Sequence, residues 1–237
     1  MPTRNRGKEA SDDRLFGDPQ MKQNMKEAAK DMCYLLSRGF AEKSSVQLVG
    51  NRYRLNARQQ KALQGMSASE QQITSRKKRT VLPKQLKGRH VAIDGFNLLI
   101  ILESALSGAY IFKGLDGYYR DISGVHGTYK RVQKTEEVLV MVGNVLNTLE
   151  VASVHWYFDT PVSNSGRLKT ILREIAEQHH FLWTIDLVNN PDKALAESND
   201  IVISSDAWVL DRAQKNVNLV AHLLDGHIKD ANVIYPE

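Results

Sequence analysis

Apolar positions in the first third of the chain recur with helical spacing. From Met21, the residues Met25, Ala28, Met32, Leu35 and Leu36 fall on one face and lysines and acids on the rest, which predicts a helix that Arg38-Gly39-Phe40 breaks. A second short helix is expected over about Glu42 to Val49, with Gly50 just past its end in the left-handed position. Asn56, with Gln59 three residues on, predicts an N-cap and a third helix through Leu63. Helices this short bury little by themselves, so they should dock on something larger. Residues 1–19 are polar, rich in charge and without periodicity, and are expected to be a disordered tail.

From Val91 the pattern changes. Val91 to Ile93 reads as a short buried strand, Asp94 closes it, Gly95 permits a sharp turn, and Leu98 to Leu102 continue as a helix too apolar for a surface. Ser107 to Lys130, with five glycines and four tyrosines, reads as a long loop or hairpin insertion, followed by a helix to about Leu149. Val151 to Phe158 is a strand ending in Asp159. A helix follows over about Arg167 to His179, with Leu168, Ile171, Leu172 and Ile175 on its apolar face. Phe181 to Val188 is another strand, Pro191 opens a helix with Asp192 in its first turn, and Asp200 to Ser204 is a short apolar strand. A helix from about Trp208 and a last strand near Val217 to Leu223 complete the pattern. Strands alternating with helices predict an α/β domain, a mainly parallel sheet covered on both faces to make three layers, behind a small all-helical domain. The expected division is a tail over 1–19, a helical domain over 20–73, a basic linker over 74–88 and the α/β domain over 89–237.

Charge sharpens this division. Up to residue 90 there are 20 Lys and Arg against 8 Asp and Glu, and thereafter 12 against 19, so a half carrying +12 precedes a half carrying −7 and the whole sums to +5. Basic surface favours a polyanion and clustered acids favour a divalent cation; two ordinary solvated surfaces would look the same. In the expected linker, Arg76, Lys77, Lys78 and Arg79 are consecutive, so Lys77 and Lys78 are candidate phosphate contacts. His126, Tyr129, Lys130, Arg131 and Lys134 cluster at the end of the insertion, a mixture of cations and a ring that suits single-stranded nucleic acid. Arg167, Lys169 and Arg173 offer a second track on one helix. The single cysteine, Cys33, on an apolar helix face, fits packing and a reducing compartment. No apolar run approaches the roughly 20 residues of a membrane helix, and the first residues carry no hydrophobic signal core, so no membrane partner and a cytoplasmic location are expected.

Three strands end alike, at Asp94, Asp159 and Asp206, and Asp192 opens a helix straight after another. In a parallel sheet those ends share one edge, where open α/β sheets bind ligands. Each acid alone could simply cap its helix, but capping does not explain the set. Several ionised carboxylates held together call for a divalent cation. With oxygen donors only, Mg²⁺ or Mn²⁺ is expected rather than zinc. Asp200 precedes its strand and should point to the opposite edge. The segments IDGFN, YFD and NPDKALAESNDIVISSD resemble the motif series of PIN-like metal-dependent ribonucleases, particularly their NYN branch, over about residues 89 to 212. The whole chain, with its YLLSRGF and VGNRYRL segments, also resembles a prokaryotic family of uncharacterised proteins that pairs a small helical domain with a PIN-like one.

The resemblance implies an RNA-cleaving phosphodiesterase acting on single-stranded or structured RNA, with a homodimer left open. By the same carry-over, Asp94 is the principal metal ligand and Asn97 its hydrogen-bonding neighbour. Asp192 and Asp206 complete the metal shell, Ser204 or Ser205 orients phosphate or water, and Asp159 stands one layer back. Glu136 and Glu137 fall where the family often has a further acid, though a basic run leads into them. The alternative is a nucleic-acid-binding protein without catalysis, read by a helix-turn-helix variant around Lys43 to Arg58. A haloacid-dehalogenase-type phosphatase needs an acid where Phe96 stands, and no GxxxxGK[ST] phosphate loop occurs.

Overall fold

The computed structural model describes residues 6–123 and 129–236. His126 lies outside them. The N-terminal helices are α1 (Pro19–Ser37), α2 (Glu42–Arg52), α3 (Ala57–Met66) and α4 (Glu70–Arg79). Asp18 caps α1 by accepting from the Met21 N–H, while α3 and α4 open with capping boxes, Asn56 with Gln59 and Ser69 with Gln72. Gly50 does not terminate α2. It lies inside the helix, where a side chain would meet Gln60 of α3, so close approach explains the glycine.

Two expectations for this half fail. The described part of the supposed tail is packed: Phe16 is buried edge-on to Phe112, and Arg58 clamps the buried Asp12 through Nε at 2.7 Å and Nη2 at 2.9 Å. The supposed linker over 74–88 is folded throughout most of its length. It contains the end of α4, β1 (Thr80–Val81) and a short 3₁₀ turn at Pro83–Leu86. Its apolar content is too low to announce a helix, which forms because Ser69 caps it and Arg76 anchors it.

The remainder alternates as expected. It runs β2 (His90–Asp94), α5 (Gly95–Leu106), a hairpin of β3 (Tyr110–Lys113) and β4 (Tyr119–Arg120), and α6 (Thr135–Thr148). Then come β5 (Ser153–Asp159), α7 (Ser165–His179), β6 (Trp183–Val188), α8 (Pro191–Ala196), β7 (Ile201–Ile203) and α9 (Ala207–Leu210). The chain closes with β8 (Asn216–Val217), α10 (Leu219–Gly226) and β9 (Asn232–Ile234). The expected last strand over 217–223 is therefore mostly helix. Asn218 accepts from the Ala221 N–H, and Leu219, Val220, Leu223 and Leu224 bury one helical face.

Six parallel strands form the main sheet in the order β1-β8-β7-β2-β5-β6. Helices α5, α6, α7 and α10 cover the face that buries Val91, Ile93, Val154, Trp156 and Phe158. The other face carries Ala92, Val202 and Tyr157 under Leu195 of α8 and Val209 of α9. The domain is a three-layer α/β structure. From β2 the chain moves outward to β5 and β6, then returns to lay β7 on the other side of β2. That reversal is the topological switch point, where open sheets part at their carboxyl edge and bind ligands.

The insertion is a structural joint. β3 pairs with β4 and, in parallel, with β9, making a small second sheet. Ile111 and Tyr119 enter the main core, whereas Phe112, Ile122 and Ile234 enter the core built by the N-terminal helices with Phe16, Met25, Met32 and Leu63. Alternation along one strand serves two cores. The helical part and the α/β domain are thus welded along this sheet.

Candidate functional site

The site is built at the switch point. β2 is central, buried, and paired on both sides, so its last residue is fixed by two neighbours. Asp94 ends the strand and caps α5: one oxygen accepts from the Asn97 N–H at 3.3 Å, and the other accepts from the Ser204 hydroxyl at 2.8 Å. Ser204 follows β7 directly, and its oxygen in turn accepts from the Asp206 N–H at 3.0 Å. Asn97 holds the same loop through its side-chain oxygen, which accepts from the Ser205 N–H at 2.8 Å. Asp94, Asn97, Ser204, Ser205 and Asp206 are therefore one hydrogen-bonded unit bridging two adjacent strand ends. Gly95 is required here because an added Cβ would strike the Phe158 ring.

Burial leaves Asp94 only 8% exposed and raises its carboxyl to about 7; the Ser204 and Asn97 hydrogen bonds pull it down, while the charges of Asp192 and Asp206 push it further up. Asp192, on the exposed first turn of α8, is raised by partial desolvation and then by Asp206 and Asp159. Asp159, at the end of β5, is raised by desolvation. These influences tie together the four acids expected to meet. Asp206 also caps α9, accepting from the Trp208 and Val209 N–H groups at 2.8 and 3.0 Å. Asp200 lies at the opposite end of β7.

The donors fit a hard cation chemically, being carboxylate, hydroxyl and amide oxygens without sulfur or imidazole. Among the described residues, however, no group of three or more His, Cys, Asp or Glu side chains is gathered so that it could hold a metal ion. The carboxylates lie within electrostatic reach of one another but do not form a finished shell.

Most expected nucleic-acid contacts are elsewhere. Lys77 and Lys78 are exposed on α4, but Arg76 beside them is fully buried. Its guanidinium reaches Asp116 at 2.5 Å and Asp211 at 2.6 Å, joining the helical part to the β3–β4 turn and to the end of α9. Burial would raise Asp116, but Arg120 and Arg76 outweigh it and hold the carboxyl low. Tyr129 is no base platform: it is buried, its ring packs on Phe96, and its hydroxyl donates to Glu103. Glu103 is fully buried against Arg6 and Thr135, and desolvation raises its carboxyl despite those partners. Lys130 is exposed, while Arg131 and Lys134 pair with Glu136 and Glu137. Glu136 and Glu137 are thus occupied on α6. Arg167 and Arg173 are exposed on α7, and Lys169 approaches Asp186 at 3.9 Å.

Three neighbours escaped the sequence reading. Arg120, from β4, donates to the Ser205 carbonyl at 2.9 Å and so holds the site loop from the insertion side. Tyr157 is the register partner of both Asp94 and Asp186, and its hydroxyl bonds His155, which bonds Asp186 at 2.8 Å. Trp208, two residues after Asp206, is exposed beside the site. For Tyr157 the period-two alternation of HWYFD was a usable signal; for Arg120 and Trp208 there was none.

Comparison with known proteins places this architecture in a family. The model of a domain of unknown function, DUF5616, matches residues 83–222. The chain belongs to the DUF5616 family. A second model, the protein of unknown function DUF434, matches residues 24–79, which contain most of α1 and all of α2 to α4. The boundary between the two matches falls at β1, where the helical part enters the main sheet. The protein is also similar to Uncharacterized protein MJ0935 of Methanocaldococcus jannaschii, 28% identical over 201 residues that cover 85% of this chain and 95% of that one. The similarity thus spans both halves together. No solved structure matches the chain. Among the described residues no helix is long and apolar enough to cross a membrane.

Proposed function

We propose that the protein is a Mg²⁺- or Mn²⁺-dependent ribonuclease with a PIN-like α/β domain, cleaving phosphodiester bonds at the carboxyl edge of the sheet. The observation that carries this reading is Asp94, a buried strand-end carboxylate at the switch point that senses the charges of Asp192 and Asp206. Resemblance of the IDGFN and ISSD segments to the PIN-like motif series supports it. Asp94 and Asp206 would hold the cation, with Asp192 approaching from α8 and Asp159 behind it. When bound, such a cation lowers the pKa of a bound water and offsets charge on a departing oxygen. Ser204 donates to Asp94 and accepts from the Asp206 N–H, and so keeps the two acids in register. Asn97 and Arg120 fix the loop between them from opposite sides.

The alternative of a helix-turn-helix reader has less support. The polar side of α3 lines a cleft against the α/β domain instead of standing clear of it, and Lys61 there donates to the Ile122 carbonyl. The test is calorimetric titration of Mn²⁺ into wild type and Asp94→Asn, with cleavage of labelled single-stranded RNA by each. Binding and cleavage by the wild type, both lost in the variant, are expected. Equal cleavage by the two proteins would overturn the reading.

A further inference from the structure

A cleft of about 550 Å³ runs between the N-terminal helices and the α/β domain. Asn97, Ser205 and Asp206 line it, so of the four acids it meets the site at Asp206. Lys61 and Gln64 of α3 line the opposite side, and Trp208 and Arg212 stand at its margin. Trp208 is 43% exposed, a large apolar ring that folding leaves uncovered. The Arg212 guanidinium lies over it, 4.0 Å from the ring centroid, and donates to the Trp208 carbonyl at 3.1 Å. Arg212 thereby steadies the ring, which is part of the cleft wall. Only Ala207 separates Trp208 from Asp206, a span of at most about 7 Å of backbone.

The cations of this cleft are largely committed. Arg76 is held by Asp116 and Asp211 and Arg120 by Asp116 and two carbonyls, while Lys61 and Arg212 bond carbonyls and keep their charge. Glu42, Asp206 and Asp211 add negative charge to the same walls. A surface so compensated gains little from phosphate neutralisation. It presents instead an aromatic platform, fixed by a stacked cation, immediately beside the carboxylates.

We infer that this cleft is the substrate groove and that Trp208 is a binding residue on which an unpaired base of single-stranded RNA stacks, so that recognition runs through a base more than through phosphate charge. The inference rests on the ribonuclease reading for its substrate class and adds the subsite. A paired base is already stacked within its duplex and cannot offer a face to the ring, so the groove selects single strands. Base–aromatic stacking contributes about 1–3 kcal/mol per base, which corresponds to roughly 5- to 150-fold in affinity.

The experiment is fluorescence anisotropy with a labelled single-stranded RNA of about ten nucleotides, in EDTA so that nothing is cut. Trp208→Ala should weaken binding at least fivefold and Trp208→Phe should recover most of the loss. On wild-type protein, a strand made abasic at one position should bind as weakly as the intact strand binds Trp208→Ala, and abasic substitution elsewhere should matter little. The salt dependence should be shallow, because few counterions are released. This abasic comparison needs no variant and decides the matter if Trp208→Ala fails to fold. Unchanged affinity in Trp208→Ala, equal binding of every abasic strand, or absence of RNA binding by the wild type would overturn the proposal. Cleavage by Asp94→Asn is scored separately. A dead Asp94→Asn with an indifferent Trp208→Ala sinks the subsite alone. An active Asp94→Asn with a weakened Trp208→Ala sinks the catalytic reading and keeps the subsite.

Discussion

Asp94→Asn should make the metal-free protein more stable at neutral pH, although it removes the central residue of the candidate site. Asp94 is buried, and its carboxyl is raised from 3.8 to about 7 by burial first, against the Ser204 bond, and then by Asp192 and Asp206. Below pH 3.8 the group is protonated in folded and unfolded chains alike and the penalty is absent. Between 3.8 and about 7 the unfolded chain releases its proton while the folded one keeps it, so stability falls as pH rises. Above about 7 the carboxylate is ionised in both states and the whole penalty is present, about 4 kcal/mol at 1.36 kcal/mol per tenfold change. Asparagine removes that penalty. It also has only one acceptor oxygen for the two donors that Asp94 satisfies, the Asn97 N–H and the Ser204 hydroxyl, which costs about 1 kcal/mol. The net expectation is a gain of about 3 kcal/mol above pH 7 and a loss approaching about 1 kcal/mol below about pH 3. The stabilities of the two proteins should therefore cross between roughly pH 4 and 5. Urea denaturation in EDTA at half-unit pH steps measures this directly. Saturating Mn²⁺ should then stabilise the wild type and leave the variant where it was. A constant difference at every pH would refute the reasoning, because it would mean that Asp94 carries no burial penalty in the folded state.

Arg76→Met should destabilise the protein by about 3–5 kcal/mol, because the buried Asp116 loses one of its two arginines and Asp211 loses its ion pair; a denaturation midpoint within error of wild type would contradict that. Phe16→Ala should cost about 3–5 kcal/mol in the same assay, although it lies in a segment without apolar periodicity, because its ring is fully buried against Phe112 and Tyr110. Gly95→Ala should cost about 1–3 kcal/mol, since the added methyl must displace the Phe158 ring inside the core; a neutral substitution would show that the β2–α5 turn is loose.

What the sequence determined was what short-range physics determines. Helical spacing at Met25, Ala28 and Met32, the Asn56–Gln59 box, and the short apolar runs at Val91 and Ile201 each specify a local conformation, whatever surrounds them. Alternation of strand and helix then implied a parallel sheet, and a parallel sheet sends Asp94, Asp159 and the loop to Asp206 toward one edge. Tertiary structure decided everything that depends on which elements meet. Arg76 looks like its three cationic neighbours in a row of letters; only the position of Asp116, 40 residues away, makes it a buried anchor. Tyr129 reads in sequence as a ring offered to a base, yet Phe96 and Glu103 enclose it in the fold. The two faces of β3 feed different cores, so the insertion reads as a loop in sequence yet welds the two halves together. Trp208 gives the converse case, a large apolar residue that the fold leaves partly exposed along a cleft. Periodicity reports which side of its own element a residue occupies, whereas burial depends on what the rest of the chain brings against that side.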